Sequence, residues 1–299
     1  MVSAIVPVYN ETSEIANCIK SLLKQNIRED YEIIVVDNGS DDGTKKIIQE
    51  YSVKMIEENS VQTPYAARNA GIRAGNGEIF AFTDADCEVD SNWLSAGVKS
   101  IREDKTVGAL AGKIEGGRAR TPVERRLNEI GWLSQEATMN HEFLPYPQTA
   151  NAFYRREVFE KVGLFPTNWV SAGDADLAWR MQINTKYKLK YEGGARVVHN
   201  HRSDIISLFK QCKKWGHGKY LLKNKYKYGS EGLAEQMTRY AKLVKEVSSK
   251  SAIYLLRVLQ EKTTKKKFDL RYVLLCDMAY KVGLELGYVM GYLGIKKYK

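Results

Sequence analysis

Three apolar runs in the first 90 residues each stop at a polar group, and this restricts the fold more than any other feature of the chain. Val2–Val8 (VSAIVPV) leads into Tyr9, Asn10 and Glu11; Tyr31–Asp37 (YEIIVVD) ends on Asp37; Ile79–Thr83 (IFAFT) runs into Asp84. Short, largely uncharged runs of this kind read as buried strands. Between the first two, Ile15, Ile19, Leu22 and Leu23 recur at helical spacing, and Thr12 or Ser13 is placed to cap that helix. Asp37–Thr44 is a turn that opens a second helix, Val53–Ile56 reads as a short strand, and Tyr65–Ala74 reads as a helix ended by Gly75–Gly77. Strands alternating with helices imply an α/β fold with a doubly wound, mostly parallel sheet. Right-handed crossovers bring Asn10, Asp37 and Asp84 to one edge of that sheet. Ligands of open α/β sheets sit beyond that edge.

The stretch after the third strand is acidic twice over: Thr83, Asp84, Ala85, Asp86. Two carboxylates on a strand exit loop make an oxygen-ligand site for Mg²⁺ or Mn²⁺, the ions that pair with phosphates. No Gly-x-Gly-x-x-Gly follows the first strand, and no Gly-x-x-x-x-Gly-Lys-Ser/Thr loop occurs. A nucleotide held here therefore needs its diphosphate neutralised by the ion and not by a glycine loop.

Further along, Trp93–Ile101 reads as a helix, Val107–Ile114 as a strand, Glu115–Thr121 as a loop and Pro122–His141 as one helix with Leu127, Ile130 and Leu133 on a stripe. Ala150–Arg155 reads as another strand. A second carboxylate pair, Asp174 and Asp176, opens a helix that continues through Trp179. The unpaired N–H groups of a helix start favour the carboxylate anion, which is then ready to take a proton. Tyr187–His201 reads as strand, turn, strand, ending in His199 and His201. Cys18, Cys87, Cys212 and Cys276 have no metal-ligand spacing and read as free thiols of a reducing compartment. Met1 leads straight into a strand, so a cytoplasmic protein without a signal peptide is expected.

Four segments in order, IVPVYNE, VVDNGSDDGT, AARNAGIRAGNGEIFAFTDAD and GDADLAWR, resemble the family 2 inverting glycosyltransferases of the GT-A fold over about residues 1–203. The resemblance implies a nucleotide diphosphate sugar as donor, with a UDP-sugar favoured. It implies that Asp37 contacts the base, that Pro7, Tyr9 and Glu11 line the same pocket, and that Arg68 lies near the donor phosphates. Asp84 then reaches the ribose or a metal-bound water, Asp86 ligates Mn²⁺ or Mg²⁺, and His199 completes the metal site. Asp174 aligns with the catalytic base, and Asp176 is left as a helix cap or positioning group beside Trp179. The family usually reads Glu-Asp-x-Asp-Leu here, and this chain has Gly173 in place of the Glu. Gln211-Cys-Lys-Lys214-Trp215 distantly resembles the Gln-x-x-Arg-Trp of processive synthases in the same superfamily, which implies a donor or acceptor contact for Gln211, Lys214 and Trp215.

Charge separates the rest. Residues 1–200 carry 24 Lys and Arg against 28 Asp and Glu, whereas residues 201–299 carry 22 against 8. The expected division is a catalytic domain over 1–203 and a basic helical extension over 204–299, with a long helix at Leu233–Leu259. In Val273–Ile295, Asp277, Lys281 and Glu285 form an i, i+4 ladder with Gly283, Gly287 and Gly291 nearly opposite. Three charges argue against a lipid-exposed span and for a helix packed on a neighbour or on the partner of a homodimer. Lysines including Lys265–Lys267 and Lys296–Lys299, interrupted by Tyr298, suit an anionic membrane surface, and nothing in the tail resembles a base-reading motif for nucleic acid. The sequence thus predicts a metal-dependent inverting transferase acting on a glycan or lipid-linked acceptor, peripheral on the cytoplasmic membrane face. Its rivals are a sugar-nucleotide pyrophosphorylase, whose Gly-rich loop is missing after strand one, and a non-catalytic basic membrane- or nucleic-acid-binding module.

Overall fold

A computed structural model describes residues 1–229, 233–261 and 270–295 of the 299-residue chain. Contacts divide it into two units: Met1–Gly117 with Gly131–Asn200, and Arg118–Ile130 with His201–Lys299.

The first unit is built on an eight-stranded sheet of order β3-β2-β1-β4-β7-β6-β8-β5. Its strands are β1 (Val2–Val8), β2 (Tyr31–Asp37), β3 (Lys54–Glu57), β4 (Ile79–Thr83), β5 (Cys87–Val89), β6 (Val107–Gly116), β7 (Asn151–Arg155) and β8 (Lys188–His199). The strands β3, β2, β1 and β4 are parallel, as the alternating pattern predicts. Strand β7 runs antiparallel to both β4 and β6, and β5 antiparallel to β8, so the sheet is mixed beyond β4. The helices of this unit are α1 (Ile15–Leu22), α2 (Thr44–Gln49), α3 (Pro64–Ala74), α4 (Trp93–Glu103), α6 (Gln135–Met139), α7 (Arg156–Val162) and α8 (Gly173–Asn184). One face of the sheet, through Val6, Val35, Ala81 and Phe153, packs with Ile15, Ile19 and Leu22 of α1 and Trp93 and Leu94 of α4. The other face carries an aromatic cluster of Phe80, Phe82, Tyr154, Phe159 and Phe165. Each fully buried aliphatic or aromatic side chain contributes roughly 1.5–3 kcal/mol to this core. Buried Asn151 ties the antiparallel half together, accepting from Trp93 Nε1 at 2.8 Å and donating to the Lys113 and Ala195 carbonyls.

Pro7 stands in a central strand, where its missing N–H would break a ladder. The Val8 carbonyl accepts from Asn38 N, so the neighbouring Pro7 turns towards β4, whose pairing with β1 has already stopped at Ile5 and Phe82. Parted strands at a sheet's carboxyl edge form the crevice that such folds use for ligands.

Four local expectations are corrected. Neither Thr12 nor Ser13 caps α1, whose N-cap is Glu14 without a side-chain cap bond, and Leu23 falls outside the helix and is exposed. Segment 122–141 is not one helix: α5 (Pro122–Glu129) ends before Gly131 and Leu133, both at positive φ, and α6 starts afresh at Gln135. A left-handed residue ends a helix whatever apolar stripe runs through it. Segment 187–201 holds one strand, β8 (Lys188–His199), with a register shift opposite Gly112/Lys113, so the glycines at 193 and 194 make a bulge and not a turn.

The second unit holds α5, α9 (Ile205–Tyr226), α10 (Leu233–Glu261) and α11 (Leu270–Tyr292). The glycine ribbon of α11 lies against α9 within the same chain. A Cβ on Gly283 would sit 2.9 Å from the Phe209 carbonyl, and one on Gly287 would overlap the Lys213 carbonyl. The charge ladder faces elsewhere: Asp277 meets Arg126 of α5 and Lys250 of α10, and Lys281 meets Glu246. Among the described residues no helix is long and apolar enough to cross a membrane. Lys265–Lys267 and Lys296–Lys299 lie outside the described residues.

Because Gly287 meets backbone, which cannot rotate away, Gly287→Ala is expected to cost on the order of 1–3 kcal/mol, the usual range for forcing atoms into a packed contact. Gly291, which faces the Tyr220 and His217 rings, is expected to tolerate Ala better. Urea denaturation of both variants decides it, and equal midpoints would refute the close helix approach.

Candidate active site

The loops after β1 and β2 are fastened to each other. Asn10, at φ 50°, donates through Nδ2 to Asp41 Oδ1 at 2.8 Å and accepts from Asp41 N at 3.0 Å, while its own N–H donates to Ser40 Oγ. The Glu11 N–H donates to Thr44 Oγ1 at 2.9 Å. Asp37 closes the turn from its end of β2, with Oδ2 accepting from Gly39 N and Ser40 N at 3.0 Å each. Gly39 sits at φ 85°, where only glycine is at ease. The Asp37 side chain has no exposed surface, and its Oδ1 has no partner among the described residues. Lys45 Nζ stands 3.6 Å from Oδ2. Pro7 is buried at the end of β1 and Tyr9 is about half exposed. A base could therefore reach Asp37 only where the surrounding loop gives way, while Tyr9 is open to a ligand at once.

Beyond β4 the exit loop meets α3 and α8. Thr63 caps α3, accepting from Ala66 N, with Pro64 at its first position. One turn on, Tyr65 and Arg68 share a face, and the Arg68 guanidinium lies 5.6 Å from the Tyr65 ring centre. Arg68 is buried and forms an ion pair with Asp84, whose carboxylate is partly exposed. Arg68 Nε is buried and has no partner among the described residues. The Tyr65 hydroxyl in turn donates to Asp174 Oδ1 at 3.5 Å, and Ala175 N donates to the same oxygen at 3.0 Å. Asp174, Tyr65, Arg68 and Asp84 thus form one chain of contacts from the start of α8 to the end of β4.

Burial raises the Asp174 carboxyl above its ordinary value, opposed by the Ala175 N–H and the Arg68 charge. Desolvation thus opposes the N-terminal N–H groups, which favour the anion, and a raised carboxyl is a stronger base. Burial and the neighbouring Asp174 also push the Tyr65 phenol well up, so it stays a donor. Tyr65 was invisible as a site residue, although its i, i+3 spacing to Arg68 was there to be read. Ala172, at φ 67°, precedes Gly173, whose added Cβ would lie 2.8 Å from the Tyr65 ring.

The second acidic residue of the loop faces β8. Cys87 pairs directly with His199 across β5 and β8, and this register puts His199 Nε2 3.4 Å from Asp86 Oδ1. Asn200 N donates to the Asp86 carbonyl at 2.9 Å, which holds the loop against the end of β8. Asp86, Cys87 and His199 offer ligand atoms within 4.8 Å of one another. A carboxylate oxygen and an imidazole nitrogen at the edge of a sheet fit a divalent ion of the Mn²⁺ or Mg²⁺ class. Cys87 offers soft sulfur, which suits such an ion poorly.

Asp176 is buried and does not cap α8; its Oδ2 accepts from Arg180 Nε at 2.9 Å. Arg180 also donates to the Val162 carbonyl and, at 2.8 Å, to the Leu164 carbonyl, so Asp176 pins the segment before α8. Trp179 is fully buried, donates Nε1 to the Leu144 carbonyl at 2.7 Å, and packs against His141 and Phe143. Both have structural duties here. Gln211, Lys214 and Trp215 lie on α9 in the C-terminal unit.

Residues 3–163 match glycosyl transferase family 2, more than half of the chain. The chain belongs to that family. Among curated relatives it is 37% identical over 184 residues to Glycosyltransferase AglE of Haloferax volcanii, covering 58% of each protein. It is 28% identical over 212 residues to the pre-mycofactocin glycosyltransferase of Mycobacterium tuberculosis, covering 68% of this chain and 43% of that one. The chain thus spans about half the length of these relatives. The solved mannosyltransferase PcManGT of Pyrobaculum calidifontis, in complex with GDP-Man and Mn²⁺, superposes with a TM-score of 0.65 at 20% identity over 99% of this chain and 88% of its own. The mixed, mostly parallel sheet is the GT-A fold. Family membership speaks against the pyrophosphorylase and the non-catalytic binding module.

A carboxyl raised on folding contributes stability that is complete below the unfolded value, near 4, and is lost as pH rises through the folded value. Asp174→Asn is therefore expected to raise Tm at pH 7 over the unchanged protein, with the gap closing by about pH 3–4. Thermal melts across that range test it; a lower Tm at pH 7 would mean that the hydrogen bonds to the carboxylate outweigh its burial.

Proposed function

We propose that the chain is a metal-dependent inverting glycosyltransferase that moves a sugar from a nucleotide diphosphate to an acceptor hydroxyl. The observation that carries this reading is the chain of contacts Asp174–Tyr65–Arg68–Asp84, with Asp86 two residues further along the same exit loop and facing His199 at the end of β8. The donor lies across the parted ends of β1 and β4. Tyr9 and Glu11 line the nucleoside side, and Asp37 accepts from the base once the turn around it opens. Arg68 turns its spare Nε–H to the donor phosphates while Asp84 keeps the guanidinium in place. Asp86 and His199 hold Mn²⁺ or Mg²⁺, which when bound neutralises charge developing on the leaving diphosphate. Asp174 takes the proton of the acceptor hydroxyl as its oxygen bonds to the anomeric carbon. The bond to the diphosphate breaks with its electron pair leaving on the nucleotide, and one displacement inverts the configuration. Tyr65 keeps the Asp174 carboxylate aimed, and Asp176 and Trp179 position the helix that carries it.

A UDP-sugar is favoured because Asp37 has one spare oxygen, which suits the single ring N–H of uracil. A guanine edge offers two donors and would use both oxygens, one of which the Gly39 and Ser40 N–H groups already occupy. A GDP-sugar is the second reading, favoured by the GDP-Man bound in the similarly folded mannosyltransferase. The acceptor class is a glycan or a lipid-linked hydroxyl.

Thermal shift with UDP- and GDP-sugars, with and without Mn²⁺, separates these readings. A donor at about 100 times its Kd adds about 2.7 kcal/mol. Stabilisation that needs the ion and disappears in Asp86→Ala is expected; equal stabilisation in EDTA would remove the metal from the proposal. For transfer, Asp174→Asn is expected to keep donor binding and lose about 10²–10⁴-fold in rate. Activity retained in Asp174→Asn and lost in Asp176→Asn would mean that the pair has been assigned the wrong way round. An unchanged anomeric configuration in the product, read by NMR, would refute the single displacement.

A further inference from the structure

In the C-terminal unit, α11 has already used two of its three faces. Gly283, Gly287 and Gly291 are pressed against α9, and Asp277 and Lys281 are paired with Arg126, Lys250 and Glu246 from α5 and α10. Two of the three charges that argue against a membrane location, Asp277 and Lys281, are therefore answered inside the chain. What remains outward is apolar. Leu275, Val282, Leu286 and Val289 recur along one side of α11, and Leu293 follows its last residue, its N–H still donating to the Val289 carbonyl; Leu286 is 42% exposed and Leu293 61%, and the other three are half-buried.

Helices α9 and α11 run side by side in the same direction, since Gly283 meets Phe209, Gly287 meets Lys213 and Gly291 meets Tyr220. With about 100° per residue from this shared contact line, Leu275 and Leu286 of α11, and Leu293 just after it, point to the same side as Ile206, Lys210 and Lys214 of α9. That side is opposite the one on which Asp277 meets α5 and α10. Ile206 is 68% exposed, and Lys210 and Lys214 are exposed. An apolar strip thus lies beside a basic one on a single two-helix face.

We propose that this face docks on an anionic phospholipid surface, with the α11 leucines entering the headgroup boundary and the α9 lysines meeting the phosphates. Charge selects the occupant. Residues 201–299 carry 22 Lys and Arg against 8 Asp and Glu, so a second copy on this face would bring like charges together. Nucleic acid would answer the lysines and leave the leucine strip in water. An anionic leaflet answers both, as interfacial amphipathic helices do. The inference is independent of the transfer reaction, because it is read by binding and not by turnover.

The test is co-sedimentation of the full chain with vesicles of equal parts phosphatidylglycerol and phosphatidylcholine, and with phosphatidylcholine alone. Binding to the anionic vesicles at low salt, falling at least about tenfold when salt shortens the Debye length to a few ångström, is expected. Lys210→Glu is expected to weaken partition by about fivefold or more, from a lysine's usual contribution at an anionic leaflet. Leu286→Ser with Leu293→Ser is expected to weaken it as well, with far-UV circular dichroism unchanged; both positions are exposed, so folding should survive. No binding to the anionic vesicles, equal binding to the neutral ones, or variants that bind as well as the unchanged chain would each overturn the proposal. So would sedimentation equilibrium showing a dimer that the leucine variants dissociate, or duplex DNA bound in place of vesicles.

Discussion

A guanidinium cannot lose its proton, so once Arg68 is buried something must answer it, and Asp84 does. Much of the exit-loop geometry follows from that one requirement. Arg68 lies on α3, whose start is fixed by the Thr63 cap and by Thr63 Oγ1 donating to the Thr167 carbonyl at 2.8 Å. Asp84 lies at the end of β4, in the middle of the sheet. Pairing them draws the β4 exit loop over α3 and leaves Asp86, two residues on, free to turn towards β8 and His199. Breaking a buried pair by removing one partner typically costs about 3–5 kcal/mol. Here Asp84 is partly exposed, so solvent screening reduces that figure. The charge has a second consequence: the Arg68 guanidinium favours the Asp174 carboxylate and works against the desolvation that raises it. One arginine therefore organises the strand end and moderates the base.

The C-terminal unit shows the same logic in apolar form. Helix α11 is apolar enough to resemble a span and charged enough to be excluded from one. The packing resolves this by giving each face a different neighbour: glycine to α9, charge to α5 and α10, leucine to the outside. Segment 118–130, far away in sequence, joins this unit because Arg126 is needed opposite Asp277. Two charges at 3.3 Å in partly buried surroundings hold α5 to α11, an arrangement no local pattern would reveal.

What could be read from the sequence was whatever depends on local order. Strands β1, β2 and β4, the helix at α3, the polar strand ends and the glycine ribbon of α11 follow from short uncharged runs, the breakers that bound them, and glycine spacing. What could not be read depends on backbone angle or on distant partners. Gly131 and Leu133 both take positive φ and divide a stripe that looked continuous. The glycines at 193 and 194 look like a turn, yet β6 holds both flanks in one ladder, so the extra residues bulge. Cys87 had no ligand spacing in sequence, but antiparallel pairing sets it opposite His199. The Asp174 carboxyl is a related case: the helix start is local and visible, whereas the desolvation that opposes it and the Tyr65 hydroxyl that donates to it depend on the tertiary fold.

The departure at Gly173 is the place where these strands of argument meet. A Glu is usual in the family's motif at this position, and its side chain would start from a Cβ lying 2.8 Å from the Tyr65 ring. Tyr65 cannot retreat cheaply, because its ring stacks on Phe165 at 5.6 Å and carries the Arg68 guanidinium on the same helix. The two residues exclude each other: with Tyr65 in this position the chain has room only for glycine at 173. The exchange also replaces a carboxylate beside the base by a neutral hydroxyl that donates to it. A neighbouring anion would raise the Asp174 carboxyl further, and a donor lowers it. Glycine at 173 and tyrosine at 65 are therefore two halves of one adjustment, which keeps the partly desolvated base ionisable while holding its oxygen in place.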